Sequence, residues 1–281
     1  MSALHHVLVP PVDDDTPSRP VCLVLHGILG SGANWMTFAK RLVGRRPDWQ
    51  FVLVDLRAHG RSQDLAPPDT LEQCARDLEE LELELPGAVR AVAGHSFGSK
   101  VATAFAAHRT SLGRPLEELW LLDGDPSAHK PKPSSLRGDD VDRVLAALRT
   151  LPDEFVDRDA FIGGLVEAGL SRPVAAWLGT NLRRRPEPDG PFRFRLDLDR
   201  IEALLADYRA TDGWPWLEAE ESRRFLVVGG KSPVVGPEAR ERFDRLPGEL
   251  SQFVLETAGH WVHVDDLDGL LAVFERHLSR L

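Results

Sequence analysis

Short apolar runs alternate with amphipathic stretches of helical period, and one long segment interrupts the alternation. Together they predict an α/β chain with a doubly wound, mostly parallel sheet and one helical insertion. Val21-Cys22-Leu23-Val24-Leu25, Phe51-Val52-Leu53-Val54, Val89 to Ala93, Leu119-Trp120-Leu121-Leu122, Phe225-Leu226-Val227-Val228 and Phe253-Val254-Leu255 are apolar almost throughout. Strands covered on both faces, as in parallel sheets, have this composition. Between them lie helix-like stretches at Trp35 to Leu42, Leu71 to Leu83, Lys100 to His108, Glu238 to Leu246 and Leu267 to Leu281. Strand and helix in turn imply right-handed crossovers. From residue 127 to 218 strand-like runs stop. Amphipathic patches such as Val141 to Leu148 and Ile201 to Leu205 take their place, punctuated by Pro131, Pro133, Pro186 and Pro188. The expected organisation is a core of residues 1–126 and 219–281 with a helical cap at 127–218, packed over the carboxyl ends of the strands, where open α/β sheets bind ligands.

Composition narrows the classes of partner. A net charge of −10 over 281 residues disfavours nucleic acid and anionic membrane, both of which reward a basic surface. No apolar run approaches the roughly twenty residues of a spanning helix, and Met1-Ser2-Ala3-Leu4-His5-His6 lacks the basic-then-apolar order of a secretory signal. Cys22 falls in an expected core strand and Cys74 in an expected helix, which suits reduced, buried thiols and a cytoplasmic location. Asp13-Asp14-Asp15 reads as a solvated turn, and no metal-ligand spacing is present.

The chemistry is announced at Gly94-His95-Ser96-Phe97-Gly98, directly after an expected strand and directly before an expected helix. This is the G-x-S-x-G nucleophile elbow in the strand-turn-helix setting that gives the pattern meaning. The turn strains the serine backbone, and the glycines two residues away on either side let strand and helix pass closely. Ser96 is therefore the candidate nucleophile. A serine hydroxyl needs a positioned base, itself oriented by a carboxylate. His260, in Thr257-Ala258-Gly259-His260-Trp261 just after the last expected strand, is the candidate base, with His263 as competitor. His26 and His59 flank glycines at strand ends and read as ligands of loop backbone, and His95 as packing inside the elbow.

A developing oxyanion needs two fixed donors. One is expected from the N–H of Phe97, the other from Ile28 in the glycine-rich His26-Gly27-Ile28-Leu29-Gly30 loop, with Leu29 as the alternative; that loop lacks the ending of a phosphate-binding P-loop. The acid is less direct. After the penultimate strand, Gly229-Gly230-Lys231-Ser232-Pro233 has a lysine where a carboxylate would serve, and Glu238 lies well into the next helix. Asp123, which comes directly off the strand Leu119 to Leu122, is the candidate acid, with Asp125 second.

With these residues in hand the chain resembles the α/β-hydrolase superfamily from about residue 5 to its end. The resemblance rests on His26 to Ser31, Asp55-Leu56-Arg57-Ala58-His59-Gly60-Arg61-Ser62, Gly94 to Lys100 and Ala258 to His263. It is most similar to the small esterase and acyl-thioesterase branch of bacterial esterases and mitochondrial α/β-hydrolase-domain proteins. In that branch the acid follows the strand before the cap, so the resemblance also implies Asp123, and Gly-Gly-Lys-Ser-Pro is similar to its Gly-Gly-Asn-Ser-Pro. The implied activity is cofactor-free hydrolysis of a small-molecule carboxylic ester or acyl thioester through an acyl-enzyme on Ser96. Two departures bear on the substrate: Gly124-Asp125-Pro126 after the acid, and the arginine-rich Arg183-Arg184-Arg185. The alternatives are a carbon–carbon hydrolase or lyase of the menaquinone-pathway kind, against which Lys231 counts, and a ligand-binding protein on a hydrolase fold. Trp177, Trp214 and Trp216 are candidates for an acyl pocket.

Overall fold

The computed structural model describes residues 4–11, 19–129, 140–185 and 190–280. The Asp13 to Asp15 run and Pro131, Pro133, Pro186 and Pro188 lie outside them. The chain divides into two compact units, residues 1–129 with 203–281, and residues 130–202.

The first unit is built on a seven-stranded sheet. In chain order its elements begin β1 His6–Val9, β2 Val21–Leu25, α1 Met36–Arg45, β3 Gln50–Val54, α2 Leu71–Glu82, β4 Val89–His95, α3 Phe97–Ser111 and β5 Glu118–Leu122. The second unit contributes α4 Val141–Thr150, α5 Arg158–Glu167, α6 Arg172–Leu178, β6 Leu182–Arg184, β7 Phe192–Phe194 and the start of α7 Leu198–Ala210. The first unit then resumes with the rest of α7, α8 Trp214–Ala219, β8 Arg223–Gly229, α9 Pro237–Asp244, β9 Leu250–Leu255, α10 Val262–Asp265 and α11 Leu267–His277.

The sheet order is β1-β3-β2-β4-β5-β8-β9, parallel throughout except for β1, which pairs antiparallel with β3. The doubly wound expectation therefore holds. Every residue of β2, β3 and β5 is buried, and apart from Gln50 and Glu118 at the starts of β3 and β5 all are apolar, which is why these strands read as apolar runs. β1 escapes such a reading because it is an edge strand of four residues, three of them only half-buried.

One face of the sheet packs under α1 and α11: Trp35 meets Phe38 and Phe38 meets Phe274, whose ring stacks on Trp120 at 4.1 Å, and Trp120 stacks on Phe225 at 3.9 Å. Such aromatic stacks bury large apolar area at defined geometry. α2 and α3 are capped or wedged in by sequence: Thr70 accepts from Gln73 N at the start of α2, and Ser96 begins α3.

The second unit contains helices, as its amphipathic patches predict, but also an antiparallel two-stranded ribbon. This corrects the expectation of a segment without strands. Leu182 pairs with Phe194, Arg183 with Arg193 and Arg184 with Phe192. Each strand has three residues, too few for a period to show, and Leu182-Arg183-Arg184 does not alternate. α4 and α5 start at Asp140 and Asp157, whose side chains accept from Asp142 N and Ala160 N at 3.1 and 2.7 Å.

Candidate active site

Parallel strands bring the loops that follow β2, β4, β5, β8 and β9 to one edge of the sheet, and β4 and β5 are neighbours near its middle. Ser96, the residue between β4 and α3, has φ 54° and ψ −116°. That left-handed conformation is costly for a residue with a side chain and persists only where the surroundings impose it. Here strand and helix impose it: a Cβ on Gly94 would overlap the carbonyl oxygen of Gly98, and one on Gly98 would lie 2.6 Å from that of His26. Ser96 N donates to Leu122 O at 3.0 Å, which ties the elbow to the end of β5.

His260 reaches Ser96 from the loop after β9, its Nε2 3.0 Å from Ser96 Oγ. Its Nδ1 lies 2.7 Å from Asp123 Oδ2. Asp123 is fully buried, comes off β5 with φ 46°, and its N–H donates to Val227 O at 2.7 Å. Asp125 instead accepts from Ser127 N at 2.8 Å, a turn contact on the far side of Gly124. His263 is stacked on Trp35 at 4.2 Å, and burial, reinforced by nearby His260, lowers its pKa to about 4. The structure thus brings Ser96, His260 and Asp123 together and leaves Asp125 and His263 out of that chain.

Two groups contact the carboxylate that residue-type reasoning passed over. Gly229 N donates to Asp123 Oδ1 at 3.0 Å, and the Ser232 hydroxyl donates to Oδ2. Both belong to the Gly229 to Pro233 stretch, in which the side chain of Lys231 is exposed while its N–H donates to Ala258 O. The loop with a lysine in place of a carboxylate is therefore the loop that hydrogen-bonds the carboxylate on the neighbouring strand. A serine three residues after the glycine that ends β8 was the available signal. His95 also contributes: burial first, then nearby His260 and His263, hold it neutral, and its Nε2–H donates to His260 O at 2.7 Å, fixing the loop that carries His260.

The glycine-rich loop after β2 passes close to Ser96, since a Cβ on Gly27 would lie 3.4 Å from Ser96 Cβ. Among the described residues neither Ile28 N–H nor Phe97 N–H donates to a protein acceptor, whereas Leu29 N–H donates to His59 Nε2 at 3.0 Å. That bond removes Leu29, the alternative donor. It is half of a reciprocal clamp. His26, on the β2 loop, accepts from Leu56 N at 3.0 Å, and His59, on the β3 loop, accepts from Leu29 N. Each ring's Nδ1–H donates to backbone, His26 to Gly27 O at 2.8 Å and His59 to Arg57 O at 2.9 Å. Accepting at Nε2 requires the neutral imidazole. Burial lowers both pKa values, that of His59 to about 3 with help from nearby His26.

The Asp55 to Ser62 stretch braces the same loops. Asp55 accepts from Gly32 N and Arg61 N at 2.8 and 2.9 Å, and buried Arg57 pairs with Asp77 and Asp69.

This geometry sits in a chain whose residues 20–267 match the family model described as alpha/beta hydrolase fold. The chain belongs to that family. Among curated relatives it is 28% identical over 261 residues to the sn-1-specific diacylglycerol lipase ABHD11 of Mus musculus, covering 90% of this chain and 78% of the relative. It is 25% identical over 267 residues to Esterase YbfF of Escherichia coli (strain K12), covering 93% and 94%. Among solved structures a marine microorganism esterase superposes with a TM-score of 0.77 at 22% identity, over 96% of this chain and 97% of that one, which establishes the shared fold.

The tryptophans proposed for an acyl pocket divide. Trp214 is buried, donates from Nε1 to Ser127 Oγ at 2.9 Å and carries Arg242 over its ring, which makes it part of the core. Trp216 lines a cavity of about 580 Å³ with Ala104, Ala107 and His108, at the end of α3 remote from Ser96. No described helix is long and apolar enough to cross a membrane.

Proposed function

We propose that the chain is a serine hydrolase that cleaves small-molecule carboxylic esters or acyl thioesters through an acyl-enzyme on Ser96. One observation carries the reading: the continuous hydrogen-bond chain from Ser96 Oγ through His260 to buried Asp123, at 3.0 and 2.7 Å. In this reading His260 Nε2 takes the Ser96 proton as Oγ attacks the carbonyl carbon. Asp123 holds Nδ1–H and stabilises the imidazolium that forms. The N–H groups of Ile28 and Phe97 receive the oxyanion, the latter at the N-terminus of α3 where the helix dipole also favours negative charge. His260 then protonates the departing alcohol or thiol, and water attacks the acyl-enzyme by the same steps in reverse order.

The names of the curated relatives, a diacylglycerol lipase and an esterase, support an ester bond as the target. Residues 127–218 are retained as the inserted segment in this proposal, with the rest as the catalytic core. Two free, buried cysteines support a cytoplasmic setting. The mechanism uses no metal or cofactor, so activity is expected to survive exhaustive chelation.

A fluorophosphonate probe followed by peptide mapping tests the reading. Labelling on Ser96, with turnover of nitrophenyl esters or acyl thioesters of graded chain length, is the expected result. Folded protein that resists the probe and turns over neither series would leave a ligand-binding role instead.

A further inference from the structure

Lys100 stands four residues after Ser96 in α3 and is 1% exposed. Burying an ammonium is costly unless its donors are met. Among the described residues no carboxylate forms an ion pair with it. Its three donors go instead to three backbone carbonyls, Ser127 O at 2.8 Å, Tyr208 O at 2.7 Å and Thr211 O at 3.0 Å. An ammonium has three N–H donors, so the match is complete. The acidic groups that face it are engaged elsewhere: Asp125 accepts from Ser127 N, Asp207 from Leu71 N and Asp212 from Trp214 N.

The acceptors belong to two chain segments far apart in sequence, the one that leaves β5 and the one that returns through the end of α7. These segments are zipped to each other by His129 N to Arg209 O and Gly213 N to Pro126 O, both 2.8 Å. Lys100 Nζ also lies 4.0 Å from the centre of the Tyr208 ring, and that ring packs on Phe97 at 5.6 Å and on His129 at 5.6 Å. A single ammonium thus ties the helix that begins at the nucleophile to both segments. It also holds the aromatic that covers Phe97.

We propose that Lys100 is a positioning residue: it anchors the two segments that border residues 130–202 to the nucleophile helix and seats Tyr208 against Phe97, so that the substrate's acyl group meets an ordered wall. The inference rests on the reading of Ser96 as nucleophile. It has a pH signature. Burial lowers the Lys100 pKa to about 8, against the opposing pull of Asp125, Asp212 and Asp207. A neutral amine has two donors for three carbonyls, so one tie is lost above that pH. The unfolded chain keeps its proton to about 10.5, and between about 8 and 10.5 it binds more protons than the folded one, so this group's contribution to stability rises with pH. Loss of substrate binding in that window is therefore distinct from unfolding.

The test is KM and kcat for p-nitrophenyl butyrate from about pH 6.5 to about 9.5 in the wild type, Lys100→Met and Lys100→Arg, with fluorophosphonate labelling of Ser96 and a melting curve at each pH. In the wild type KM is expected to rise about tenfold with a midpoint near 8, while kcat changes less than about threefold. Lys100→Met should hold the raised KM at every pH. Lys100→Arg, whose guanidinium stays protonated, should lose the alkaline rise. A wild-type KM that stays flat across the range overturns the proposal even if neither variant folds, as does a Lys100→Met profile that copies the wild type. Absence of labelling at Ser96 in the wild type would instead count against the hydrolase reading.

Discussion

The two sides of the site are held in place by opposite electrostatic means. On the side of β2 and β3, neutral imidazoles do the work: His26 and His59 each accept a backbone N–H from the other's loop, and burial keeps both from charging. On the side of β5 and β8 a buried carboxylate does it, with Asp123 collecting bonds from His260, Gly229 N and the Ser232 hydroxyl. The difference follows from where charge develops. In the proposed mechanism negative charge appears beside Ile28 and Phe97 only in the transition state, and neutral supports leave that N–H pair as the preorganised response to it. In the same proposal positive charge appears on His260, and a fixed carboxylate answers it. The oxyanion side is therefore expected to be sensitive to acid and the acid side to loss of a charge.

The largest effect removes what both sides serve. Ser96→Ala is expected to lower kcat by about 10⁶ with the fold intact, leaving only the residual catalysis of the oxyanion donors and binding. Wild-type-like turnover by a pure Ser96→Ala sample would end the mechanism. Next, Asp123→Asn should cost about 10⁴ in kcat by favouring the wrong imidazole tautomer. Asp125→Asn should stay within about threefold, because its contact is a turn bond to Ser127 N. If Asp125→Asn is the crippling change, the acid side of the comparison has been drawn around the wrong residue.

How much of this was legible in the chain follows the same division. The elbow could be read because its chemistry is written in adjacent residues: glycines where backbones touch, serine between them, an apolar strand before and a helix after. The candidate acid is reached less directly, by topology, from Lys231 occupying one strand end and Asp123 the neighbouring one, and by the family resemblance, which implies the same residue. What lay beyond reading were contacts that join loops distant in the chain. The Ser232 hydroxyl finds Asp123 because β8 pairs with β5, and Leu29 N finds His59 because β2 pairs with β3. The β6–β7 ribbon is hidden for a local reason: its strands are three residues long, too short for a period to show, and β6 carries two adjacent arginines.

A change on the oxyanion side sharpens the comparison at intermediate size. His59→Phe keeps a ring but leaves Leu29 N–H and Arg57 C=O without their partner, so the loop carrying Ile28 should loosen. A fall of about 10- to 100-fold in kcat is expected, with substrate KM moving less. The pH dependence has a definite sign. The His59 pKa is lowered from 6.5 to about 3, so the unfolded chain binds the extra proton first as pH falls. The stability this group contributes is whole above about 6.5 and is lost progressively as pH drops towards 3. Melting curves between these limits should be shallower for His59→Phe than for the wild type, though not flat, because His26 and His95 also have lowered values. Identical slopes would mean that His59 does not supply the acid sensitivity of this side.

The smallest effect tests the acid side within one loop. Ser232 donates to Asp123 through its side chain, whereas neighbouring Lys231 contributes only its backbone N–H, to Ala258 O at 2.9 Å, and holds its side chain in solvent. Ser232→Ala removes one donor from a carboxylate that keeps Gly229 N and His260, so the loss should be a fraction of what Asp123→Asn costs, about three- to tenfold in kcat. Lys231→Ala should leave kcat within about twofold, since an exposed ammonium in water is strongly screened. The two substitutions sit side by side, so any general disturbance of the loop would affect both. A larger loss from Lys231→Ala than from Ser232→Ala would mean that the lysine charge, and not the hydroxyl, supports the carboxylate across the strand pair.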